Sequence, residues 1–156
     1  MRSGRMSFLI ALIVSILSLP IGTSSALALD VQEHQLANGM KVLLVESPKA
    51  PVVTVQIWYK VGSRNEVMGR AGLSHMLEHM MFKGTKNVGP GEFSRRVAAM
   101  GGRENAMTTR DFTMYYQQIE KSHLGDVMKL EADRMATLRV DDAAFRRERE
   151  VVKEER

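Results

Sequence analysis

Apolar and polar positions alternate along three stretches of the chain, which predicts β-strands. Residues 41–46 form a short strand after the turn signal Asn38-Gly39, so a hairpin is expected there. Residues 52–61 alternate β-branched and aromatic residues with polar ones, and we expect this strand to be central in its sheet. Residues 105–118 are rich in Thr and aromatic residues, which predicts one long strand or two short ones divided near Arg110 and Asp111.

Four further stretches have helical periodicity, at residues 69–82, 91–100 and 122–138 and from about Asp141 to the end of the sequence. The third of these carries an apolar stripe made of Leu124, Val127, Met128, Leu130, Met135 and Leu138. Strands and helices alternate irregularly, and the strands occur in hairpin-like pairs. The pattern therefore predicts an α+β fold, with a mixed or antiparallel sheet packed with helices, rather than a doubly wound parallel sheet.

Residues 1–28 have the composition of a secretory signal peptide. They begin with Arg2 and Arg5, continue with an apolar run over residues 8–19 and end in the small-residue triplet at 26–28. Pro20 ends the run before the length of about 20 apolar residues that a transmembrane helix needs. We expect an exported periplasmic or extracellular protein whose mature domain is 29–156, the alternative being a membrane anchor that is not cleaved. Membrane contact is expected only through this leader.

The charge of the chain gives no support for nucleic-acid binding. The formal net charge is +4, and without the two arginines of the leader it falls to about +2. No basic stripe remains in the rest of the sequence, so we predict no nucleic-acid partner.

The candidate chemistry lies in the predicted helix at residues 69–82, which contains His75, Glu78 and His79. At about 100° per residue, His79 falls about 40° from His75 and one turn along the axis, and Glu78 falls about 60° to the other side. The three side chains therefore share one face. Two imidazoles in this arrangement can bind one Zn²⁺, and the carboxylate can take a proton from water. The alternative is a helix whose histidines are surface or core residues without a ligand.

A catalytic zinc site needs a third protein ligand. On the terminal helix, Glu148 and Glu155 lie about 20° apart, on the same side as the apolar Ala144, Phe145, Val151 and Val152. Burying two unpaired carboxylates is costly, and a cation would remove that cost. Buried ion pairs to arginines are the alternative. Helix geometry does not choose between the two glutamates, and His34 and His123 remain competing ligands.

Five segments, in order, resemble the N-terminal part of a pitrilysin/insulinase-type zinc peptidase of the H-x-x-E-H class. They are residues 36–42, 61–66, 72–85, 101–102 with 105–108, and 148–155. The resemblance implies that His75 and His79 bind Zn²⁺, that Glu155 is the third ligand and Glu148 a supporting carboxylate, and that Glu78 is the general base. It implies a zinc-dependent endopeptidase acting on peptides or small unfolded proteins. The alternative is a partner subunit that binds peptides without cutting them.

The resemblance also implies a substrate site and a partner. Asn105 and Ala106 resemble the edge strand on which such peptidases hold an extended peptide, although Met107 stands where the family often has an aromatic residue. This stretch could equally be a structural edge strand. Because family members enclose substrate between two homologous halves, we expect a second half or subunit. The sequence stops at Arg156, in the middle of a charged helical run. We therefore expect a first domain truncated at its C-terminus and little peptidase activity from residues 29–156 alone.

Overall fold

The computed structural model describes residues 29–155, so the predicted signal peptide and Arg156 lie outside the described residues. The chain divides into two compact units at Ser47 and Pro48. In the first unit, β1 (Val31–Gln35) and β2 (Lys41–Val45) pair as an antiparallel hairpin. The connecting turn places Gly39 at φ 85°, a left-handed conformation that favours glycine. The hairpin predicted from the sequence is therefore confirmed.

The second unit contains a three-stranded antiparallel sheet in the order β3 (Val52–Tyr59), β5 (Thr113–Glu120), β4 (Arg103–Thr108). The prediction that residues 52–61 form a central strand is wrong, because β5 is central and β3 lies at one edge. The pairing gives the reason, because β5 pairs with β3 on one side and β4 on the other, whereas in the described part of the chain β3 pairs with β5 alone. Consecutive residues of β5 are buried on both faces, whereas alternate residues of β3 face solvent, with Trp58 53% exposed. Residues 109–112 separate β4 from β5, which matches the two-strand alternative.

Four α-helices occur within the described residues: α1 (Leu73–Met80), α2 (Glu92–Ala99), α3 (Leu124–Thr137) and α4 (Asp142–Glu154). Single 3₁₀ turns at Ser63–Asn65 and Lys121–His123 precede α1 and α3. Residues of α2 and α3 pack with apolar residues of the sheet in one core, made of Val88, Phe93, Val97, Ile119, Val127 and Leu130, with Val53 and Val55 against it. No helix in this part of the chain has the length and apolar character needed to span a membrane. The predicted α+β class, with antiparallel strands packed with helices, is confirmed.

The buried face of α3 differs from the predicted apolar stripe. Met128 is 57% exposed, whereas Glu131 and Arg134 are almost completely buried. The guanidinium of Arg134 donates two hydrogen bonds to Glu131, at 3.1 and 2.5 Å, and lies 4.4 Å from the ring centre of Tyr115. A buried ion pair thus lies in the core while Met128 of the predicted stripe faces solvent, and burial of the pair is tolerated because the two charges neutralise each other.

Helix α4 begins at its N-cap Asp141, whose Oδ1 accepts a hydrogen bond from the backbone N–H of Ala144 at 2.7 Å. It packs against α1 through a small apolar cluster of Met76, Met80 and Val152. Val151, predicted on the same apolar face, is instead 46% exposed. The α1–α4 contact places the glutamates of α4 beside the histidines of α1.

Candidate metal centre

The start of α1 is held by a carboxylate from the preceding loop. Gly72, the N-cap, has φ 95°, and its N–H donates to Glu66 Oε2 at 2.7 Å. The N–H of Ser74 donates to Glu66 Oε1, also at 2.7 Å. A negative charge at a helix N-terminus is favourable because it satisfies free N–H groups and opposes the helix dipole. Glu66 therefore fixes the end of α1 immediately before His75.

Three ligand atoms converge where α1 meets the end of α4. His75 Nε2 and His79 Nε2 lie 3.1 Å apart, and each is 3.4 Å from Glu155 Oε2. Two ligands about 2.0–2.1 Å from one tetrahedral zinc ion lie about 3.3–3.4 Å from each other. All three distances are close to this value. The described residues contain no other group of three or more His, Asp or Glu side chains with converging ligand atoms.

Glu148 determines which nitrogen of His79 is free. Its Oε1 lies 2.9 Å from His79 Nδ1, and because an ionised carboxylate can only accept, Nδ1 carries the hydrogen. In neutral His79, Nε2 then presents a lone pair toward Glu155, which is another acceptor. Burial alone would raise the pKa of Glu148, but hydrogen bonds from Lys83 and His79 outweigh it and lower the pKa overall. A ring nitrogen with a lone pair beside a carboxylate oxygen fits a divalent cation.

Glu78 lies beside these ligands and points toward the sheet. It is 9% exposed, and its Oε2 accepts a hydrogen bond from Thr108 Oγ1 at 2.5 Å. Thr108 is opposite Thr113 in the β4–β5 register, and their hydroxyl oxygens are 3.2 Å apart. The Thr113 hydroxyl in turn lies 3.0 Å from the carbonyl oxygen of Val61. Glu78 is therefore oriented by the last residue of β4.

The remaining candidates from the sequence have clear positions. Asn105 and Ala106 lie in β4, which is an edge strand of its sheet, and Asn105 Oδ1 accepts from the Ala106 N–H at 2.8 Å. His34 lies in β1, and His123 lies 3.6 Å from Asp126. Neither histidine belongs to the converging group. Glu155 is thus the third residue beside the histidine pair, and Glu148 contacts His79 from the opposite ring nitrogen.

Sequence reasoning missed three residues that orient the site: Glu66, Lys83 and Thr108. Glu66 could have been found as an acid shortly before a helix start. Lys83 lies one turn beyond His79, a spacing that places the two on one side of a helix. No local signal identifies Thr108, because its contact with Glu78 depends on how β4 packs against α1.

Comparison with known proteins places the chain in a family. Residues 41–156 match the family model described as Insulinase (Peptidase family M16). Zinc protease PqqE of Helicobacter pylori is 40% identical over 146 residues, covering 91% of this chain and 33% of the relative. Subunit 1 of the cytochrome b-c1 complex of Bos taurus is 34% identical over 126 residues, or 81% of this chain and 26% of the relative. The mitochondrial-processing peptidase subunit beta of Blastocladiella emersonii is 33% identical over 121 residues, which cover 78% of this chain and 26% of the relative.

Two solved structures of peptidases are similar to this chain in fold. The crystal structure of a protease from Helicobacter pylori superposes with a TM-score of 0.80 at 43% identity, covering 83% of this chain and 31% of that one. Pitrilysin superposes with a TM-score of 0.74 at 31% identity, covering 85% of this chain and 14% of that one. The chain spans a third or less of the length of these relatives. The resemblance stated from the sequence is confirmed, and this chain belongs to the insulinase family of peptidases, family M16.

Proposed function

We propose that this chain supplies the zinc-binding part of a metalloendopeptidase that hydrolyses peptides or small unfolded proteins. The observation that carries the proposal is the convergence of His75 Nε2, His79 Nε2 and Glu155 Oε2 at tetrahedral spacing beside Glu78. The name of the zinc protease from Helicobacter pylori supports the choice of metal.

In this proposal His75, His79 and Glu155 hold Zn²⁺, which when bound supplies a Lewis acid that activates water for attack on a peptide carbonyl. Glu78 accepts the proton of the attacking water. Thr108 occupies Oε2 of Glu78, so Oε1 is the atom that takes the proton. The same carboxyl group then protonates the leaving amine, and no covalent intermediate with the protein is required.

The peptide is proposed to bind along the free edge of β4. An edge strand presents unpaired backbone groups, to which an extended peptide can add as a further strand. Asn105 and Ala106 lie in this strand, and Thr108 at its end contacts Glu78. A peptide on this edge would therefore run beside the proposed base.

We further propose that a second homologous half or subunit completes the substrate chamber. The chain spans a third or less of its relatives, and two of them are named as subunits. One is named for a cytochrome complex and not for a protease, so family membership alone does not establish catalysis. The alternative is a peptide-binding partner subunit that does not cut. The converging ligands together with Glu78 favour the catalytic assignment.

Export through cleavage of residues 1–28 is part of the proposal. The predicted signal peptide places the enzyme in the periplasm or outside the cell. N-terminal sequencing of the protein recovered from cells is expected to begin at Leu29. A sequence beginning near Met1 would instead indicate a leader that stays as an anchor.

The decisive experiment measures zinc content and peptide cleavage in the full-length protein and in Glu78→Gln. We expect zinc in both proteins and turnover only in the first, because the amide cannot accept the proton. His75→Ala is expected to lose both zinc and turnover. Glu150→Gln is the matched control, because Glu150 lies on the exposed side of α4 and pairs with Lys153.

Normal turnover in Glu78→Gln would contradict the assignment of the base. Zinc binding by the wild-type protein without any peptide cleavage would favour the partner-subunit alternative. Absence of zinc from the wild-type protein would contradict the proposed metal site and, with it, the proposed catalytic function.

A further inference from the structure

Lys83 contacts the carboxylate that supports His79. It lies just beyond the end of α1, and its Nζ is 2.6 Å from Glu148 Oε2. The other oxygen of the same carboxylate, Oε1, is 2.9 Å from His79 Nδ1. The Glu148 side chain is 11% exposed, so water has little access to either oxygen. Each oxygen of Glu148 therefore has its own partner, and both partners come from the α1 segment.

We infer that Lys83 is a positioning residue of the zinc site, which fixes the Glu148 carboxylate and, through it, the ring and tautomer of His79. The inference rests on the zinc site proposed above. With Oε2 held by Lys83, the carboxylate cannot rotate freely about its last bond, and Oε1 stays directed at Nδ1. The hydrogen on Nδ1 leaves Nε2 of His79 with the lone pair that a metal ligand needs.

Lys83 also acts on the register between the two helices. His79 lies in the last turn of α1 and Lys83 just beyond the end of the helix, so Glu148 is held against the α1 segment at two points. Glu155 follows Glu148 by seven residues, about two turns along α4, and therefore returns to the same side of the helix. Fixing Glu148 against α1 consequently aligns Glu155 with the histidine pair.

Electrostatic repulsion by Lys83 acts in the opposite direction to positioning. A lysine near a bound Zn²⁺ repels it, so removing the positive charge would strengthen zinc binding if charge were the only effect. Loss of positioning would weaken binding instead, because outer residues that orient a ligand typically contribute about 10–100-fold to metal affinity. Whether zinc affinity rises or falls when Lys83 is replaced thus distinguishes charge repulsion from positioning.

The test compares zinc affinities of the full-length protein and its Lys83→Met, Lys83→Arg and Lys86→Met variants by competition with a chromophoric chelator. Lys86 is exposed and belongs to the same loop, so Lys86→Met controls for the loss of one positive charge. We expect about tenfold weaker binding in Lys83→Met. Lys83→Arg, which keeps the donor and the charge, and Lys86→Met are expected to bind as the wild type does.

A second measurement reports on His79 itself. In the zinc-free protein, ¹⁵N chemical shifts of the ring are expected to show hydrogen on Nδ1 in the wild type and a mixture of tautomers in Lys83→Met. Lys83→Leu, which also lacks a hydrogen-bond donor, serves in its place if far-UV circular dichroism shows that Lys83→Met is unfolded. Unchanged or tighter zinc binding by the folded variant, or an unchanged tautomer, would overturn the inference. Failure of the wild type to bind zinc would instead refute the proposed function.

Discussion

The hydrogen bond from Thr108 to Glu78 allows a direct test of how the base is held. Thr108→Val replaces the hydroxyl by a methyl group of similar size, so the shape of β4 is retained. Oε2 of Glu78 loses the donor that lies 2.5 Å away, while the residue's backbone pairing with Thr113 is kept. We expect the carboxylate to rotate more freely and to be aligned for proton transfer less often.

The size of the effect follows from the charge and burial of Glu78. Hydrogen bonds to charged groups contribute about 1.5–3 kcal/mol, and each 1.36 kcal/mol corresponds to about tenfold in rate. Glu78 is 9% exposed, so water replaces the lost donor only in part. We therefore expect kcat to fall by about 10- to 100-fold, provided that the contact is maintained in the transition state. KM should change little, because the substitution leaves the backbone edge of β4 intact.

The assay is steady-state cleavage of a fluorogenic peptide by the full-length protein, with zinc content measured on the same samples. Thr108→Ser retains the hydroxyl and is expected to keep kcat within a few-fold of the wild type. Normal kcat in Thr108→Val at full zinc content would show that this hydrogen bond does not orient the base. Equal losses of kcat in Thr108→Val and Thr108→Ser would point to packing of the threonine methyl group instead.

Three further predictions concern stability. Zinc at about 100 times its dissociation constant should stabilise the folded protein by about 2.7 kcal/mol, which a higher melting temperature that a chelator reverses would show. An equal rise in melting temperature in the double variant His75→Ala/His79→Ala would contradict zinc binding at this site. Arg134→Met should lower the free energy of unfolding, measured in urea, by about 3–5 kcal/mol, because Glu131 keeps a buried charge without its partner. Arg134→Met combined with Glu131→Leu should lower the free energy of unfolding by less, and equal losses in the single and double variants would refute the pairing. The hydrogen bond from Thr85 is the main cause that lowers the pKa of Asp133, so ionised Asp133 stabilises the folded protein above pH of about 4 and this contribution is lost as pH falls through the lowered pKa. Asp133→Asn should be less stable than wild type at pH 7, and a stability difference that persists at pH of about 2 would contradict this.

Much of the fold was predictable because local pattern determines it. The turn at Asn38 and Gly39 and the alternation in β3 led to the right elements, since each reflects preferences of neighbouring residues. The order of strands in the sheet was not predictable in the same way. Residues 52–61 have the alternation of a strand with one exposed face, which says nothing about whether the strand has one partner or two. Only the pairing of β5 with both neighbours makes β3 an edge strand.

The error in α3 has a different cause. Sequence periodicity assigns methionines to the core because they are apolar, and charged residues to the surface. Arg134 reverses this order because Glu131 accepts hydrogen bonds from its Nε and Nη2, and the faces of Phe93 and Tyr115 pack against its guanidinium. A spacing of three residues between an acid and a base permits such a pair. It does not distinguish a buried pair from the many exposed pairs that have the same spacing.

The metal ligands were easier to predict from the sequence than the residues that orient them. His75 and His79 are neighbours through helix geometry alone, and the two glutamates of α4 share a face for the same reason. What joins the helices is their apolar contact, through Met76, Met80 and Val152. This cluster is small, so the relative position of the helices must depend heavily on polar contacts across it. Lys83, which joins the α1 segment to Glu148 of α4, therefore acts together with the ligands in forming the site. Thr108 does the same for Glu78 from β4. Helix periodicity alone would bring the correct residues near each other without fixing their orientation.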